Sequence, residues 1–292
     1  MPPEVPPQEE GARPRVSVVI VTRNCEAALR RCLTALEASK GRQRFEILTV
    51  DAGSTDGSPR IDAEFPGVTV LRMPRNFGKT RARNIGMRTA QAELVLFLDP
   101  HVELRPGAVD TLAGILETRD EAAAAAPVLT DPAGQVLDTV FSLPSAAELA
   151  AAALRGTPLP GRKPEQEFAE AVDEAALLVR RNFVAGMNYL DEKRFSEYWS
   201  LLEVCWQIRN AGKKIVVTPQ AGGVLHPGRD REAGDPAHIA DRVSGAAAYL
   251  AKHNGMGAGI SFKIKCFFMT LASFRVPLAF SILGGRRVDP TQ

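Results

Sequence analysis

Two side chains that can bind a metal ion follow an apolar run in the stretch ELVLFLDPHVELRPG, residues 93–107. Asp99 ends the run LVLFL, and His101 stands two positions later. An apolar run bounded by polar residues is typical of a strand buried on both faces. The residues just past such a strand lie where open α/β sheets bind ligands. Because Asp-Pro is also an ordinary strand stop, the pattern by itself indicates either a ligand site or a turn.

The segments around this stretch alternate predicted strands with predicted helices. Apolar or β-branched runs predict strands at 15–22, 45–51, 68–73 and 93–99. Helical periodicity is found at 26–39, 76–90 and 105–118. This spacing predicts βαβ units and an α/β fold with a mostly parallel central sheet flanked by helices. Further strands are predicted at 174–181 and 213–219, and further helices at 145–155, 196–212 and 237–253.

The composition narrows the classes of function. The 292 residues suffice for one large domain or two small ones. A formal net charge of +2 gives no general case for a nucleic-acid partner. The four cysteines are scattered in apolar contexts, which predicts reduced, buried thiols and a cytoplasmic location. Residues 1–13 are polar and proline-rich and are predicted to be a disordered leader rather than a signal peptide.

The C-terminal part of the chain is both apolar and basic. Residues 260–283 are strongly apolar but include Lys263, Lys265 and Arg275, which argues against a simple transmembrane span. The segment predicts either an amphipathic helix at a membrane surface or a helix in a core or dimer interface. Anionic headgroups attract each Lys or Arg by about 1 kcal/mol, so residues 260–287 are a candidate contact with an anionic membrane.

Three motifs in order, VSVVIVTRN, VDAGSTDGS and NFGKTRARNIGMRTAQAELVLFLDPHVEL, resemble the nucleotide-sugar half of a family 2 glycosyltransferase with the GT-A fold. The block from 177 to 228 resembles the acceptor half. The resemblance implies a glycosyltransferase domain over 14–230, with its halves at about 14–110 and 111–230. Residues 231–292 are then a helical C-terminal extension.

The resemblance also implies roles for individual residues in binding a nucleotide-diphosphate sugar. Thr22, Arg23 and Asn24 would line the slot for the base, and Asp51 would accept a hydrogen bond from the base. Gly78 would let the backbone approach the donor closely. Lys79 or Arg83 would bind the diphosphate, unless this basic segment is simply a solvated helix face. Asp99 would belong to the same donor site.

In the family that the chain resembles, the fourth strand ends in a D-x-D motif that holds a divalent metal on the diphosphate. Here the motif is Asp99-Pro100-His101, and a D-x-H version resembles that of the polypeptide N-acetylgalactosaminyltransferases, in which a later histidine also reaches the metal. His226, directly after the strand predicted at 213–219, matches that later histidine. Mixed carboxylate and imidazole ligands suit Mn²⁺ better than Mg²⁺, so the implied cofactor is manganese.

One departure from the family pattern bears on catalysis. The family's acceptor half carries Glu-Asp before the helix that ends in Arg-x-Ala-Gly, and the Asp is the general base. Ser200 and Leu201 stand at those two positions, and leucine cannot take a proton. Nearby acids could substitute for the base; the candidates are Glu203, Asp191 and Glu197, with Glu192 beside them.

A leucine at position 201 is also compatible with a retaining enzyme, which needs no such base, and with a protein that binds a nucleotide sugar without turning it over. The resemblance therefore implies a metal-dependent enzyme that moves a sugar to a glycan or lipid-linked acceptor, in cell-envelope polysaccharide or glycolipid assembly at the inner face of the plasma membrane. The alternative is a catalytically degenerate homologue that acts as a nucleotide-sugar-binding or partner-binding scaffold.

Overall fold

The computed structural model describes residues 13–39, 45–229, 234–285 and Val288. The predicted leader, apart from its last residue, and residues 286–287 of the predicted membrane contact lie outside the described residues. The boundary predicted at 230/231 also falls among residues that are not described.

Twelve strands and nine α-helices make up the described part of the chain. The strands are β1 Val16–Thr22, β2 Phe45–Asp51, β3 Val68–Arg72, β4 Leu94–Leu98, β5 Val102–Leu104, β6 Ala122–Thr130, β7 Val140–Phe141, β8 Gly161–Arg162, β9 Phe168–Ala169, β10 Ala171–Val172, β11 Ala176–Arg180 and β12 Lys214–Leu225. The helices are α1 Glu26–Ala38, α2 Lys79–Thr89, α3 Ala108–Thr118, α4 Ala146–Arg155, α5 Arg181–Gly186, α6 Ser200–Asn210, α7 Pro236–Asn254, α8 Met256–Ala272 and α9 Val276–Leu283, with a 3₁₀ turn at Ser58–Ala63.

Nine strands form one central sheet in the order β3-β2-β1-β4-β11-β6-β12-β5, with β9 also paired to β12. Strands β3, β2, β1 and β4 are parallel neighbours. Strand β11 runs antiparallel between β4 and β6, and β12 is parallel to β6. Six of the nine strands therefore run in one direction, which confirms the predicted α/β fold with a mostly parallel sheet. A small second sheet contains β10, β7 and β8.

Alternating side chains of the central strands fill a core on each face of the sheet. Val18 and Ile20 of β1 belong to the core on the side of α1 and α3, whereas Val19 belongs to the other core. Phe97 of β4 belongs to the same core as Val19, and Leu96 to the opposite one. This period of two is the physical reason that near-continuous apolar runs form strands covered on both sides.

The helices of the C-terminal extension share a core with the central sheet. Ile239, Val243 and Leu250 of α7 and Phe262 and Cys266 of α8 are buried in the same core cluster as Val19 of β1. The extension is therefore packed against the acceptor half rather than appended to it. The apolar tail predicted at 260–283 is two helices, because the chain turns between Ala272 and Val276, where Phe274 has a positive φ of 57°.

The outer surface of α8 and α9 carries large exposed apolar side chains. Nine of the eleven exposed large hydrophobic residues in the described part of the chain fall between positions 256 and 283; they are Met256, Ile260, Ile264, Phe268, Met269, Phe274, Val276, Phe280 and Leu283. Among the described residues, no helix combines the length and the apolar character that a membrane crossing requires.

Candidate active site

A cavity of about 580 Å³ lies at the carboxyl ends of β1 and β4, where the resemblance places the donor. That volume is within the range of small-ligand sites. Both halves of the domain and helix α7 contribute to its walls. The polar and charged lining residues are Arg23, Asn24, Glu26, Arg31, Asp56, Asn76, Lys79, Asp99, His101, Glu197, Tyr198, Arg229 and His238.

The ends of β1 and β2 lie side by side because Thr22 and Asp51 are register partners. Arg23 and Asn24 line the cavity, but Thr22 does not: it is fully buried, with its Oγ1 3.0 Å from Sγ of Cys25. Asp51 is also buried, and its Oδ2 accepts hydrogen bonds from the backbone amides of Gly53 and Ser54, both at 3.1 Å. Its Oδ1 is buried without a hydrogen-bond partner in the described part of the chain.

The basic segment at the start of α2 separates into residues that reach the cavity and residues that do not. Lys79 lines the cavity, with its Nζ 3.7 Å from Oε1 of Glu197. Burial opposes the charge on Lys79, but Glu197, Glu174 and Asp99 together raise its pKa. Arg83 is buried behind it, 2.6 Å from Glu174, and donates to Oγ of Ser200 at 3.2 Å. Lys79 is therefore the cation of this segment that faces the cavity.

Gly78 allows a close backbone approach, but the approach is to the acceptor half. Its φ is +89°, and a Cβ there would lie 2.5 Å from Oγ of Ser196. The backbone amide of Thr80, two residues later, donates to the carbonyl of Ser196 at 2.9 Å. Gly78 is not among the residues that line the cavity. This glycine therefore joins the two halves at the edge of the cavity.

Asp99 is a buried carboxylate held by three groups. Its Oδ1 accepts hydrogen bonds from the backbone amide of His101 at 2.9 Å and from the imidazole Nδ1 at 3.0 Å. Its Oδ2 lies 3.2 Å from Nε of Arg229, which also pairs with Asp173. Burial alone would raise the pKa of Asp99, but the hydrogen bonds from His101 and the charges of Arg229 and Lys79 hold it well below its usual range.

The backbones of His226 and His101 are hydrogen-bonded to each other, but the imidazole of His226 contacts a different residue. The amide of His226 donates to the carbonyl of His101 at 2.9 Å, because β12 pairs with β5 just before it. The imidazole Nε2 instead lies 3.0 Å from Oε2 of Glu103, and His226 is not among the residues that line the cavity. The described ranges contain no group of three His, Cys, Asp or Glu side chains placed to hold a metal ion together.

The acids named as substitutes for the missing base have different surroundings. Glu203 is buried and accepts from Lys252 at 2.6 Å, and it also pairs with His253. Asp191 pairs with Arg194 at 2.7 Å, and neither Glu203 nor Asp191 lines the cavity. Glu197 does line it, but its Oε2 accepts the backbone amide of Lys79 at 3.0 Å.

The helix predicted at 196–212 begins only at Ser200, which changes the wall of the cavity. Trp199 has a φ of +73°, and its indole Nε1 donates to the carbonyl of Arg242 at 2.9 Å. This left-handed residue lets Glu197 and Tyr198 line the cavity, while Ser200 and Leu201 behind it are each 1% exposed. Leu201 is therefore a core residue of α6.

Among the cavity residues that were not predicted as site residues from the sequence are Arg229, Tyr198 and His238. Arg229 follows His226 by three positions, a proximity that could have suggested it. Tyr198 stands with Trp199 just before α6, and neither aromatic residue had a predicted role of its own. His238 lies on α7, in the extension, and no motif marked it. Its Nδ1 is 2.8 Å from the hydroxyl of Tyr198.

The chain is similar to several known glycosyltransferases. Residues 17–142 match the family described as Glycosyl transferase family 2. The chain is 29% identical over 264 residues to the N-acetylglucosaminyl-diphospho-decaprenol L-rhamnosyltransferase of Mycobacterium tuberculosis, covering 82% of this chain and 85% of that protein.

Two solved structures share the fold. Mannosyltransferase PcManGT from Pyrobaculum calidifontis, in complex with GDP-Man and Mn²⁺, has a TM-score of 0.53 at 17% identity, over 94% of this chain and 86% of that chain. GalNAc-T7 with UDP, GalNAc and Mn²⁺ has a TM-score of 0.57 at 17% identity, over 75% of this chain and 44% of that chain. With the match of residues 17–142 to Glycosyl transferase family 2 and the cavity at the strand ends, these results show that the chain has the GT-A fold and that its donor half is similar to that family.

Proposed function

We propose that the protein transfers a sugar from a nucleotide-diphosphate donor to a glycan or lipid-linked acceptor in cell-envelope polysaccharide or glycolipid assembly. The observation that carries the proposal is the cavity at the ends of β1 and β4, where Lys79 and Arg229 present positive charge beside Asp99. Such a pair of cations suits a diphosphate, which carries negative charge before and after transfer.

The donor's base and ribose would occupy the side of the cavity formed after β1. Arg23 and Asn24 line it there. Asp51 is buried and does not itself line the cavity, but its Oδ1 would be the acceptor for a base. Thr22 would support this slot from beneath through its contact with Cys25. Gly78 and Arg83 would contribute by positioning α2 against the acceptor half, so that Lys79 faces the diphosphate.

Asp99 and His101 are the two cavity residues that would hold one divalent metal ion. The hydrogen bond from Nδ1 of His101 to Asp99 leaves Nε2 as the ring nitrogen for a ligand, a pattern common around metal-bound imidazoles. His226 would become a third ligand after its imidazole leaves Glu103. A carboxylate with imidazoles favours Mn²⁺ over Mg²⁺, and the metal would stabilise charge on the departing diphosphate.

The acceptor is proposed to be lipid-linked, as the name of the rhamnosyltransferase relative indicates for that protein. Helices α8 and α9 would then lie on an anionic membrane at its cytoplasmic face. Ile260, Ile264 and Phe268 are one helical turn apart and point away from the core. Residues 256–285 contain Lys263, Lys265 and Arg275 and no acidic residue, so the charge of this surface complements anionic lipids.

A scaffold without turnover is the second candidate function, because Leu201 is buried where the family's base would stand. Both candidates bind the donor, and only the enzyme releases nucleoside diphosphate. The second candidate therefore predicts nucleotide-sugar binding with no transfer to any acceptor.

A thermal-shift panel of UDP-, dTDP- and GDP-sugars, with and without Mn²⁺, tests the donor site. We expect one nucleotide to raise the melting temperature in a metal-dependent way, and His101→Ala to lose the metal-dependent part. Turnover is then measured as release of nucleoside diphosphate with a polyprenyl-diphospho-N-acetylglucosamine acceptor. Absence of any shift would contradict the donor site, whereas a shift without turnover would favour the scaffold.

Sedimentation with vesicles tests the membrane contact. The full chain is expected to sediment with phosphatidylglycerol vesicles and not with phosphatidylcholine vesicles. The double variant Ile264→Glu/Phe268→Glu should stay in the supernatant, because both side chains are exposed and their replacement leaves the core intact. Truncation at Gly255 is a poorer test, because it would remove Phe262 and Cys266 from the core. Unchanged sedimentation of the double variant, or a dimer in light scattering that the variant abolishes, would contradict the proposal.

A further inference from the structure

A hydrogen-bonded pair, Tyr198 of the acceptor half and His238 of α7, lies in the wall of the cavity. The hydroxyl of Tyr198 is 2.8 Å from Nδ1 of His238, and both residues line the cavity. The guanidinium Nη1 of Arg242 lies 3.4 Å from the same hydroxyl, and its Cζ is 5.1 Å from the centroid of the ring.

Helix α7 fixes this wall through several independent contacts. Asp241 accepts the backbone amide of Glu197 at 3.0 Å, and the carbonyl of Arg242 accepts the indole of Trp199 at 2.9 Å. Gly245 lies so close to Trp199 that a Cβ there would be 2.8 Å from the indole Cδ1. The geometry of Tyr198 is therefore set by the extension, and the left-handed backbone of Trp199 is held by the same helix.

The four carboxylates that line the cavity, besides this pair, are each held by other partners. Asp99 is held by His101 and Arg229, and Glu197 by the amide and ammonium of Lys79. Asp56 accepts the backbone amide of Glu26 at 3.0 Å, and Glu26 in turn binds the amide of Gly57. These carboxylates support the donor side. The pair formed by Tyr198 of the acceptor half and His238 of the extension offers a route for a proton.

From this geometry we infer that Tyr198 and His238 together replace the missing carboxylate base. This inference rests on the proposed sugar transfer. The acceptor hydroxyl passes its proton to the oxygen of Tyr198 while the proton of Tyr198 passes to Nδ1 of His238. The acceptor oxygen forms its bond to the anomeric carbon as the bond from that carbon to the diphosphate breaks. His238 ends as an imidazolium and returns its proton to water, and the nucleoside diphosphate leaves with the bonding electrons.

In this relay Tyr198 is the catalytic residue and His238 is a positioning residue that acts through it. Removing the hydroxyl in Tyr198→Phe is expected to lower kcat by about 10²-fold, the usual size of a general-base contribution. The donor KM should change by less than about threefold, because the donor is held by the other half of the cavity. Tyr189→Phe is the matched control: Tyr189 contacts Arg88 and is not among the residues lining the cavity.

Chemical rescue separates a proton-transfer role of His238 from a structural one. His238→Ala should lose a similar factor in kcat and recover part of it with added imidazole, whereas Tyr198→Phe should not respond to imidazole. Product stereochemistry, measured by NMR, should show inversion. Wild-type kcat in Tyr198→Phe, or retention at the anomeric carbon, would overturn the inference while the proposed transfer stands. No transfer by the wild-type protein, with or without nucleotide binding, would instead refute the proposed function on which the inference rests.

Discussion

Nε of Arg229 lies 3.2 Å from Oδ2 of Asp99, so a fixed cation stands against the carboxylate that follows β4. The two residues are far apart in sequence, and the return of β12 along β5 brings them together. Arg229 also pairs with Asp173, which precedes β11. The positive charge at this edge of the sheet is therefore part of the folded chain and does not depend on a bound metal.

Arg229→Ala is expected to weaken the binding of the nucleoside diphosphate. A hydrogen bond to a charged group contributes about 1.5–3 kcal/mol, so the loss should be roughly 10- to 100-fold in Kd. Isothermal titration calorimetry with UDP, dTDP and GDP measures it, with EDTA present so that a metal does not mask the effect. Arg209→Ala, which removes an exposed ion pair with Glu170, is the control. Equal affinity in both variants would show that Arg229 stabilises the loop after β12 and does not bind the diphosphate.

The ion pair between Arg83 and Glu174 should make stability depend on pH. Burial opposes the charge on Glu174, but Arg83, Lys79 and Arg229 lower its pKa from 4.5 to about 2. The resulting stabilisation, about 3 kcal/mol, is complete above the unfolded-state pKa and is lost as the pH falls from about 4.5 towards 2. Urea unfolding of Glu174→Gln should show a loss of this order at pH 7 that shrinks below pH 4.5. Glu117→Gln, at an exposed pair with Arg15, should cost less than about 1 kcal/mol. A difference between Glu174→Gln and wild type that does not change with pH would contradict the assignment.

Gly245→Ala tests how α7 holds the cavity wall. A methyl group at this position would lie 2.8 Å from Cδ1 of Trp199, so the indole must move. We expect a loss of about 1–3 kcal/mol in the free energy of unfolding, as for other overpacked sites. Gly257→Ala in α8, where no atom lies within 4 Å of the new methyl group, should instead gain up to about 1 kcal/mol. If both variants behave alike in thermal unfolding, Trp199 is not fixed by this contact.

Leu201→Asp restores the residue type of the family's base at a position that the structure places in the core. Leu201 is 1% exposed, and an unpaired buried carboxylate is costly. Differential scanning calorimetry should show destabilisation of about 3 kcal/mol or more, and nucleoside diphosphate release should not increase. Leu201→Met, which keeps volume and polarity, should cost less than about 1.5 kcal/mol. A gain in turnover by Leu201→Asp would mean that this position faces the acceptor.

Local sequence determined the scaffold of the donor site. The runs that form β1, β2 and β4 are rich in apolar and β-branched residues. Their side chains alternate between the two faces of the sheet, so both faces are apolar. Parallel neighbours end at one edge, so the positions of Asp51 and Asp99 followed from the pattern of the strands. The strand at 68–73 and the helix at 26–39 were predicted for the same reason, because the spacing of their apolar residues is a property of the local sequence.

Only the tertiary structure decided which side chains meet. Tyr198 reaches His238 because Trp199 adopts a left-handed backbone and α7 packs against it, and neither fact is encoded in hydrophobic periodicity. Arg83 turns to Glu174 and away from the cavity because α2 is packed against the acceptor half. Periodicity reports which face of an element is buried. Which of its polar side chains line a cavity depends on the partners that other segments bring within hydrogen-bonding distance, and those contacts form only when the distant segments pack.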